Sequence, residues 1–526
     1  MKSSTEKSMQ TNHKPTNSIM RAATTVASWT MLSRLLGFLR DIFIARILGA
    51  GPLADAFFIA FKLPNFFRRI FAEGTLTVAL IPVLSDERKQ GEAAAHDYLN
   101  HLAGLLLMAL TLFTTLGIIM MPWLLFAFAP GFADEAERWD QSLLLARWMF
   151  PYLGLISLAA MGWAVLNAYR RFAVPAASPA LLNIAIIAAA IWVAPEHENP
   201  GLALTYGVLL GGFLQLAIQI PALKRIGWIP KPRLAFRSDA IRRTMHLFGP
   251  AVVGVAAVQV NILVGTILAT LLPVGAVSYL YYADRIVQLP LAVFGIAMGT
   301  ALLPILATHA SNGQSAAAKR DLSNGLAWLT WITLPATIGI IFLAEPIMRT
   351  LFEHGAFTHA DSVASSQVLQ AYALGLISFC WARVLSTACF AQKEAKKPVR
   401  FAIIGVAANI ILAIILMQPL AYVGLALATS IASYINLLLL IVYFRRQQGV
   451  IIESAGIKRI LQAIIASIPM GLFLWWLPNY WPFDSSTIWM QTLWLASAVT
   501  GGGAIFVFMS LILGQRQMLQ FRHSKH

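Results

Sequence analysis

The chain has 526 residues, of which 58% are hydrophobic and only 12% are charged. Soluble proteins carry about 25% charged residues, so this composition excludes a soluble enzyme or binding domain and indicates a polytopic membrane protein. The formal net charge of +16 does not indicate a nucleic-acid partner, because most of the excess cations lie in short loops between apolar stretches, where the positive-inside rule places them.

Apolar windows of about 20 residues predict an all-α fold with about fourteen transmembrane helices. In the first half of the chain, these windows cover residues 22–48, 55–85, 99–127, 143–168, 177–194 and 201–223. In the second half, they cover residues 247–271, 276–307, 325–350, 365–390, 401–419 and 423–443, followed by a last pair at 458–477 and 487–513. The polar residues 1–20 lack the apolar segment of a signal peptide, so we expect them to form a disordered cytoplasmic tail.

The loop cations fall almost entirely on one side of the predicted membrane. With an even number of helices, both termini and every second loop share one side. This side holds the loop cations from Lys2 to Lys525, whereas the other side holds only Arg138. Because loops rich in Lys and Arg remain in the cytoplasm, we expect both termini to be cytoplasmic.

Short motifs of the first half recur in the second half at a nearly constant offset. Gly49-Ala50 followed by Leu63-Pro64 returns as Gly275-Ala276 followed by Leu289-Pro290. Three further matches keep the same order along the chain: Pro82 to Gly91 with Pro304 to Gly313, Gly154 to Ser157 with Gly375 to Ser378, and Gly201 to Leu204 with Gly424 to Leu427. Collinear matches of this kind indicate an internal repeat, as in many transporters.

The repeat predicts two six-helix lobes. Because an even number of helices separates the copies, the lobes share one orientation and are related by an axis along the membrane normal. The last two helices have no counterpart in the repeat. The predicted regions are the tail 1–20, the N-lobe 21–226, a cytoplasmic linker 227–245, the C-lobe 246–447, the additional helices 448–515 and a cytoplasmic tail 516–526.

Basic side chains are concentrated inside the first two predicted helices. They are Arg34, Arg40, Arg46, Lys62, Arg68 and Arg69. A cation at the centre of the membrane costs about 2.5–3.5 kcal/mol on insertion scales, so a group of them persists where it lines a wet cavity or binds an anion. The matching helices of the second half carry only Asp284 and Arg285 at depth. A surplus of guanidinium groups predicts an anionic ligand such as a diphosphate.

A structural role is the alternative for three of these cations. Arg46 lies near a helix end, from which its side chain can reach the interface. Lys62 and Arg69 share a helix stripe with Asp55 and Glu73, which would let them form ion pairs. A ligand role is favoured for the other positions. Arg34 and Arg40 lie deeper, and Asp284 points about 100° away from Arg285 on its helix. Pro64 can kink the second helix, so the pattern does not decide between Arg68 and Arg69.

Other chemistry is absent from the sequence. No phosphate-binding loop ends in Lys-Ser or Lys-Thr, and His354 beside Glu353 lacks the second histidine of a zinc helix. Cys380 and Cys389 fall on opposite faces of one helix, which excludes a disulfide between them. We therefore expect no catalytic residue, no metal and no cofactor.

Four motifs resemble those of a known family. They are SRLLGFLRDIFIARILGAG (Ser33 to Gly51), ADAFFIAFKLPNFFRRIFAEG (Ala54 to Gly74), APGF (Ala129 to Phe132) and YYADRIVQLP (Tyr281 to Pro290). These resemble the MurJ (MviN) lipid II flippases of the multidrug/oligosaccharidyl-lipid/polysaccharide exporter superfamily. The resemblance runs through all the predicted helices, and the first two motifs are highly specific.

The resemblance implies a function and a site. The substrate would be lipid II, the undecaprenyl-diphosphate-linked peptidoglycan precursor, carried by alternating access from the cytoplasmic to the periplasmic leaflet of the bacterial inner membrane. Residues 448–515 would form a groove for the lipid tail, and we expect a monomer whose partners are lipid II and membrane lipid. The implied substrate-binding residues are Arg34, Arg40, Arg68, Arg285, Asp55 and Lys62.

Three other functions compete with this interpretation. A flippase for another polyprenyl-diphosphate glycan needs the same cations but not these motifs. A drug or cation antiporter of the same fold needs a net acidic cavity, whereas this one is net basic. A membrane glycosyltransferase needs acidic or histidine clusters on long extracytoplasmic loops, and the two longest predicted here, 128–142 and 351–364, lack such clusters beyond Asp134, Glu135 and Glu137.

Overall fold

A computed structural model describes residues 16–72, 74–235, 238–449, 451–477 and 487–515, and within these ranges it contains helices and turns but no strand. The predicted tail residues 1–15 and 516–526, and Glu73, lie outside the described residues. The first ten helices are α1 (Thr16–Leu48), α2 (Pro52–Phe71), α3 (Thr75–Gln90), α4 (Glu92–Ile119), α5 (Met121–Phe128), α6 (Ala136–Met149), α7 (Tyr152–Ala168), α8 (Ala173–Trp192), α9 (Pro200–Ala217) and α10 (Gln219–Arg225). The others are α11 (Asp239–Thr270), α12 (Ala276–Pro290), α13 (Ala297–Ser311), α14 (Ser315–Phe352), α15 (His359–Leu374), α16 (Leu376–Ala391), α17 (Lys396–Gln448), α18 (Ser454–Trp476) and α19 (Ile488–Ile512).

The helices account for the predicted membrane spans. Among the described residues, nine helical segments are long and apolar enough to cross a membrane, and counting α11 and the α15–α16 pair as one bent span each gives eleven. The long α17 is one of the nine but contains two spans. The α1 helix and the α2–α3 pair are not among these eleven segments. The predicted basic residues from Arg34 to Arg69 lie on α1 and α2. Every predicted span overlaps a helix, and the predicted all-α polytopic fold is confirmed.

The α17 helix is a hairpin of two helices. Its backbone leaves the helical region at Ala421 (φ 45°, ψ −128°), two residues after Pro419. Gly405 in the first half lies against Asn436 in the second, where a Cβ on the glycine would be 3.2 Å from the Asn436 Cβ. The chain therefore reverses between 416 and 424, as the two separate predicted spans require.

The backbone repeats between the halves of the chain. Gly49 before α2 and Gly275 before α12 both have positive φ, at 64° and 91°. Arg170 after α7 and Lys393 after α16 also have positive φ, at 57° and 62°, which is rare for residues other than glycine. The same unusual conformations at matching points support the internal repeat independently of the sequence motifs.

The described chain forms two compact units. The first unit contains the chain up to Phe43, Ala60–Pro122 and Leu144–Gln259, and the second contains Ile44–Ile59, Trp123–Leu143 and the chain from Val260 onwards. The second unit therefore includes the turn between α1 and α2 and the segment before α6. The lobe boundaries expected from the sequence remain a prediction.

Each unit has its own apolar core. In the first unit, α3, α4 and α7 bury residues such as Leu80, Leu99 and Val165 together with Trp228. In the second unit, α18 and α19 pack against α14, where Trp494 is fully buried and Trp331 donates a hydrogen bond from Nε1 to Ser510 Oγ at 3.1 Å. The two helices without a counterpart in the repeat are thus attached through α14.

Candidate functional site

Arg40 lies in the interior of the first unit and is hydrogen-bonded on several sides. Its side chain is almost completely buried, with 7% of the residue exposed. It donates from Nε and Nη2 to Asp41 Oδ1, at 3.0 and 2.7 Å, and from Nη1 to Asn183 Oδ1 at 3.0 Å. The guanidinium also lies over the Phe61 ring, 5.7 Å from its centroid. Asp41 neutralises much of the Arg40 charge, because a buried cation is tolerated only when it is paired and hydrogen-bonded.

Arg34 differs from Arg40 in both exposure and pairing. It lies on the same helix, but its side chain is exposed. Within the part of the chain that the structure describes, Arg34 makes no hydrogen bond and no ion pair. Its guanidinium donors are therefore not used by the described residues.

Two of the three predicted cations of α2, Lys62 and Arg68, are partly buried in the same unit. Arg68 donates from Nε to Asn65 Oδ1 at 3.1 Å, and Asn65 is itself held by a hydrogen bond from Nδ2 to the Phe61 carbonyl at 2.7 Å. Lys62 is half-buried, whereas Arg69 is exposed. Phe67 fixes this part of α2 by packing against two further rings, Phe113 and Phe150, at 5.1 and 6.1 Å. The first unit thus contains four of the six predicted site residues: Arg34, Arg40, Lys62 and Arg68.

Arg285 lies on α12 in the second unit. It donates from Nη2 to Tyr281 Oη at 3.0 Å, and its guanidinium lies 4.6 Å from the Tyr281 ring centroid. Tyr281 in turn stacks on Phe58 of α2, with centroids 4.0 Å apart. The neighbouring Asp284 accepts a hydrogen bond from Gln288. Tyr281 therefore orients the Arg285 guanidinium through both a hydrogen bond and its ring face.

Asp55 stabilises the beginning of α12. It is completely buried and accepts hydrogen bonds from the backbone N–H of Gly275 at 2.8 Å and of Ser278 at 3.0 Å, and from the Ser278 hydroxyl at 2.6 Å. The first N–H groups of a helix have no partner within the helix, and Gly275 has no side chain to cap them. Asp55 supplies this cap from another helix.

Among the described residues, Asp55 does not form the ion pair with Lys62 or Arg69 that the helical wheel leaves open as an alternative. Its charged partner is Arg138, whose Nη1 lies 3.6 Å from Asp55 Oδ2, and not Lys62 or Arg69. Pro52 begins α2, which places Asp55 in the first turn, where it reaches the neighbouring helix terminus. The helical wheel considers one helix in isolation and cannot represent such a partner.

Arg138 is a residue that the sequence analysis did not select for the site. Only 2% of it is exposed, and it donates from Nε to Glu135 Oε2 at 2.7 Å and lies over the Phe132 ring at 4.7 Å. One signal could have identified it, because it is the single loop cation on the predicted extracytoplasmic side. We call Asp55, Ser278, Arg138 and Glu135 the Asp55 cluster.

Close backbone contacts surround the Asp55 cluster in the second unit. The Arg46 carbonyl accepts a hydrogen bond from the Ala356 N–H at 2.9 Å, and the Gly49 carbonyl accepts one from Tyr282 Oη at 3.0 Å. A Cβ on Gly49 would clash with the Ala356 carbonyl. The turn between α1 and α2 therefore requires a glycine for space as well as for its positive φ.

We expect Gly49→Ala to lower the melting temperature of the purified protein more than Gly313→Ala does. Both glycines have a similar positive φ, 64° and 69°, but a Cβ on Gly313 has no atom within 4 Å. Gly313→Ala thus measures the conformational strain of about 1–2 kcal/mol, and Gly49→Ala adds an overpacking cost of about 1–3 kcal/mol. Equal melting temperatures, measured in detergent micelles, would show that the close contact does not constrain the fold.

The predicted site residues that the structure describes are mostly hydrogen-bond donors. Among the described residues, no three His, Cys, Asp or Glu side chains are placed to hold one metal ion. Cys380 and Cys389 are buried and free. The exposed guanidinium of Arg34 and the hydrogen-bonded but partly accessible Arg68 and Arg285 suit phosphate oxygens, which accept from two N–H groups at once.

Comparison with known proteins identifies a transporter family. The family model described as "Lipid II flippase MurJ" matches residues 44–503. A protein of Haemophilus influenzae, named "Probable lipid II flippase MurJ", is 35% identical over 514 residues, and the match covers 93% of this chain and 98% of that protein.

Solved structures give the same result for the fold. A structure described as "Lipid II flippase MurJ, inward closed conformation" matches with a TM-score of 0.77 and 26% identity, covering 94% of this chain and 99% of the solved chain. An inward-facing multidrug resistance MATE family transporter of the MOP superfamily matches with a TM-score of 0.66 and 13% identity, covering 82% of this chain and 98% of the solved chain. The second match shows the fold alone, which is that of two-lobe membrane transporters.

Proposed function

Because the chain belongs to the lipid II flippase MurJ family, we propose that it carries lipid II from the cytoplasmic to the periplasmic leaflet of the bacterial inner membrane. The exposed and unpaired Arg34 is the single observation in the described structure that best supports this proposal. A guanidinium without a protein partner in a membrane helix requires an anion or water, and lipid II offers a diphosphate. The transport supplies precursor for cell wall synthesis and involves no catalytic step.

We assign the diphosphate to the six predicted side chains, with different roles. Arg34, Lys62, Arg68 and Arg285 provide donors to the phosphate oxygens. Arg40 contributes less charge, because it is paired with Asp41, and its hydrogen bonds to Asp41 and Asn183 hold this part of α1 in place. Asp55 has a supporting role in the second unit, where its bonds to Gly275 and Ser278 hold the turn between α1 and α2 in place.

We assign the polyprenyl tail to the outer face of the additional helices. An apolar cavity of about 330 Å³ lies between α14 and α18 and is lined by Ile338, Phe342, Ile468, Gly471 and Trp475. Such a surface can hold a hydrocarbon chain while the diphosphate is bound elsewhere. The tail therefore stays in lipid and only the head group crosses the membrane.

The proposed orientation places both termini in the cytoplasm, and the membrane potential makes outward transport of the head group favourable. An inside-negative potential drives an anionic head group outwards by about 2.3 kcal/mol per charge per 100 mV. We propose that one chain suffices, acting as a monomer with lipid II and membrane lipid as its partners and without nucleic acid.

Complementation tests this function directly. In cells depleted of their own lipid II flippase, we expect the intact protein to restore growth and the exposure of lipid II on the outer leaflet. An empty vector provides the baseline, and the amount of protein in the membrane is measured in parallel. Normal insertion without restored exposure would contradict lipid II as the substrate and favour another polyprenyl-diphosphate glycan.

A further inference from the structure

Asn183 connects α8 to α1 at two points in the first unit. Its Nδ2 donates a hydrogen bond to the Ser33 carbonyl at 3.0 Å, and its Oδ1 accepts one from Arg40 Nη1 at 3.0 Å. Only 6% of Asn183 is exposed. Between the two contacts lies the Ser33–Arg40 segment of α1, which contains the exposed Arg34. One amide thus fixes both ends of the segment that carries the proposed ligand-binding cation.

The spacing of the two contacts explains how one side chain reaches both. Residues seven positions apart lie on nearly the same face of a helix, two turns apart. Ser33 and Arg40 have this spacing, and the long Arg40 side chain spans the distance between the turns. The Gly37 position lies between them, where a Cβ would be 3.5 Å from Asn183 Nδ2, an ordinary contact. The hydrogen bonds of Asn183 therefore determine which face of α1 lies towards α8, since Gly37 imposes no close contact with Asn183 there.

A neutral amide suits this position better than a carboxylate. Arg40 already has a charged partner in Asp41, and a second carboxylate would cancel more of the positive potential that attracts an anion. The Asn183 oxygen orients the guanidinium without adding charge. Its N–H₂ group makes the second contact, to Ser33, which a carboxylate cannot make.

We propose that Asn183 is a positioning residue, which fixes the rotation of α1 on α8 and thereby directs Arg34 towards the anionic head group. The role in transport rests on the function proposed above. Asn183 does not itself contact the substrate. It acts through Ser33 and Arg40.

Removing the Asn183 amide, and moving a carboxylate from position 41 to position 183, tests the role of Asn183 in cells. Asn183→Leu keeps the approximate size but removes both hydrogen bonds, and we expect at least a tenfold fall in lipid II exposure at an unchanged membrane level. Asp41→Asn removes the charged partner of Arg40 and is expected to reduce exposure similarly. Adding Asn183→Asp to Asp41→Asn returns a carboxylate to within hydrogen-bonding distance of Arg40 Nη1 but removes the bond to Ser33, so exposure should recover only in part over Asp41→Asn alone.

A matched control separates positioning from general helix packing. Gln215 is buried in the same unit and donates from Nε2 to the Ser178 carbonyl at 3.2 Å, which connects α9 to α8 without touching α1. We expect Gln215→Leu to leave unchanged the gain in lipid II exposure that Asn183→Asp gives when it is added to Asp41→Asn. Gln215→Leu alone should keep most of the lipid II exposure. If Asn183→Leu exposes as much lipid II as Gln215→Leu at the same membrane level, the positioning role is overturned.

Hydrogen exchange of the purified protein provides a readout independent of transport. In detergent micelles, amides of the Ser33–Arg40 segment should exchange at least tenfold faster in Asn183→Leu than in the intact protein or in Gln215→Leu. Faster exchange together with failed complementation by the intact protein would support the positioning of α1 and contradict the proposed substrate. Unchanged exchange in Asn183→Leu would contradict the inference whatever the transport result.

Discussion

Replacing Arg34 with alanine should reduce lipid II exposure in flippase-depleted cells by about 10- to 100-fold, since a charge-assisted hydrogen bond contributes about 1.5–3 kcal/mol. The melting temperature of the purified variant should stay within about 2 °C of the intact protein, because surface changes away from special features are usually small. Arg34 has no hydrogen bond or ion pair within the described ranges, so its removal leaves no buried group without a partner. We therefore expect Arg34→Ala to reduce transport without reducing the stability of the protein.

Two further variants test whether the effect of Arg34→Ala is specific to this guanidinium group. Arg34→Lys keeps the charge but not the planar pair of N–H groups that matches a phosphate, and we expect intermediate activity. Arg225→Ala removes another exposed arginine at the end of α10 and should transport normally. Full activity of Arg34→Ala at a normal membrane level would exclude Arg34 from the binding site.

Replacing Asp55 with alanine should destabilise the protein by about 3 kcal/mol, the lower end of the range for removing one partner of a buried ion pair. Arg138 would then keep only Glu135 as a charged partner, and the N–H groups of Gly275 and Ser278 would lose their acceptor. Thermal unfolding of purified protein in detergent measures the effect as a lower melting temperature.

The neighbouring acidic residue Asp134 gives a matched control. It is exposed, and Asp134→Ala should unfold like the intact protein. Adding Arg138→Leu to Asp55→Ala should recover part of the lost stability. It removes the buried Arg138 charge, which loses its Asp55 partner in Asp55→Ala. If Asp55→Ala melts at the same temperature as Asp134→Ala, the Asp55 cluster does not stabilise the second unit.

The sequence predicts the helices well because hydropathy is a local property. Every predicted span overlaps a helix, and the reversal within α17 is visible as two apolar windows around Pro419. The helix breaks are less predictable. Pro64 suggests a kink, but α2 continues to Phe71 and the interruption comes before Gly74, whose φ is 86°. A glycine's positive φ depends on the chain around it, which residue type alone does not reveal.

The site is only partly predictable for a related reason. Burying charge is costly wherever it occurs, so composition alone identifies the cations of α1 and α2 as exceptional. The partners of Asp55 come from positions as far as 223 residues away, and no periodicity along α2 indicates them. Equally, the sequence treats Arg34 and Arg40 alike, whereas the fold exposes one and hydrogen-bonds the other to Asn183.

The reversal at Ala421 also has a consequence for how the protein is made. A Cβ on Gly424 would clash with the Leu416 carbonyl, so the two halves of α17 are joined without room for a polar loop. Almost nothing hydrophilic therefore lies between the two halves, so the hairpin can enter the membrane as one unit whichever side the turn faces. The same tightness makes this turn a poor position for an epitope tag or a protease site.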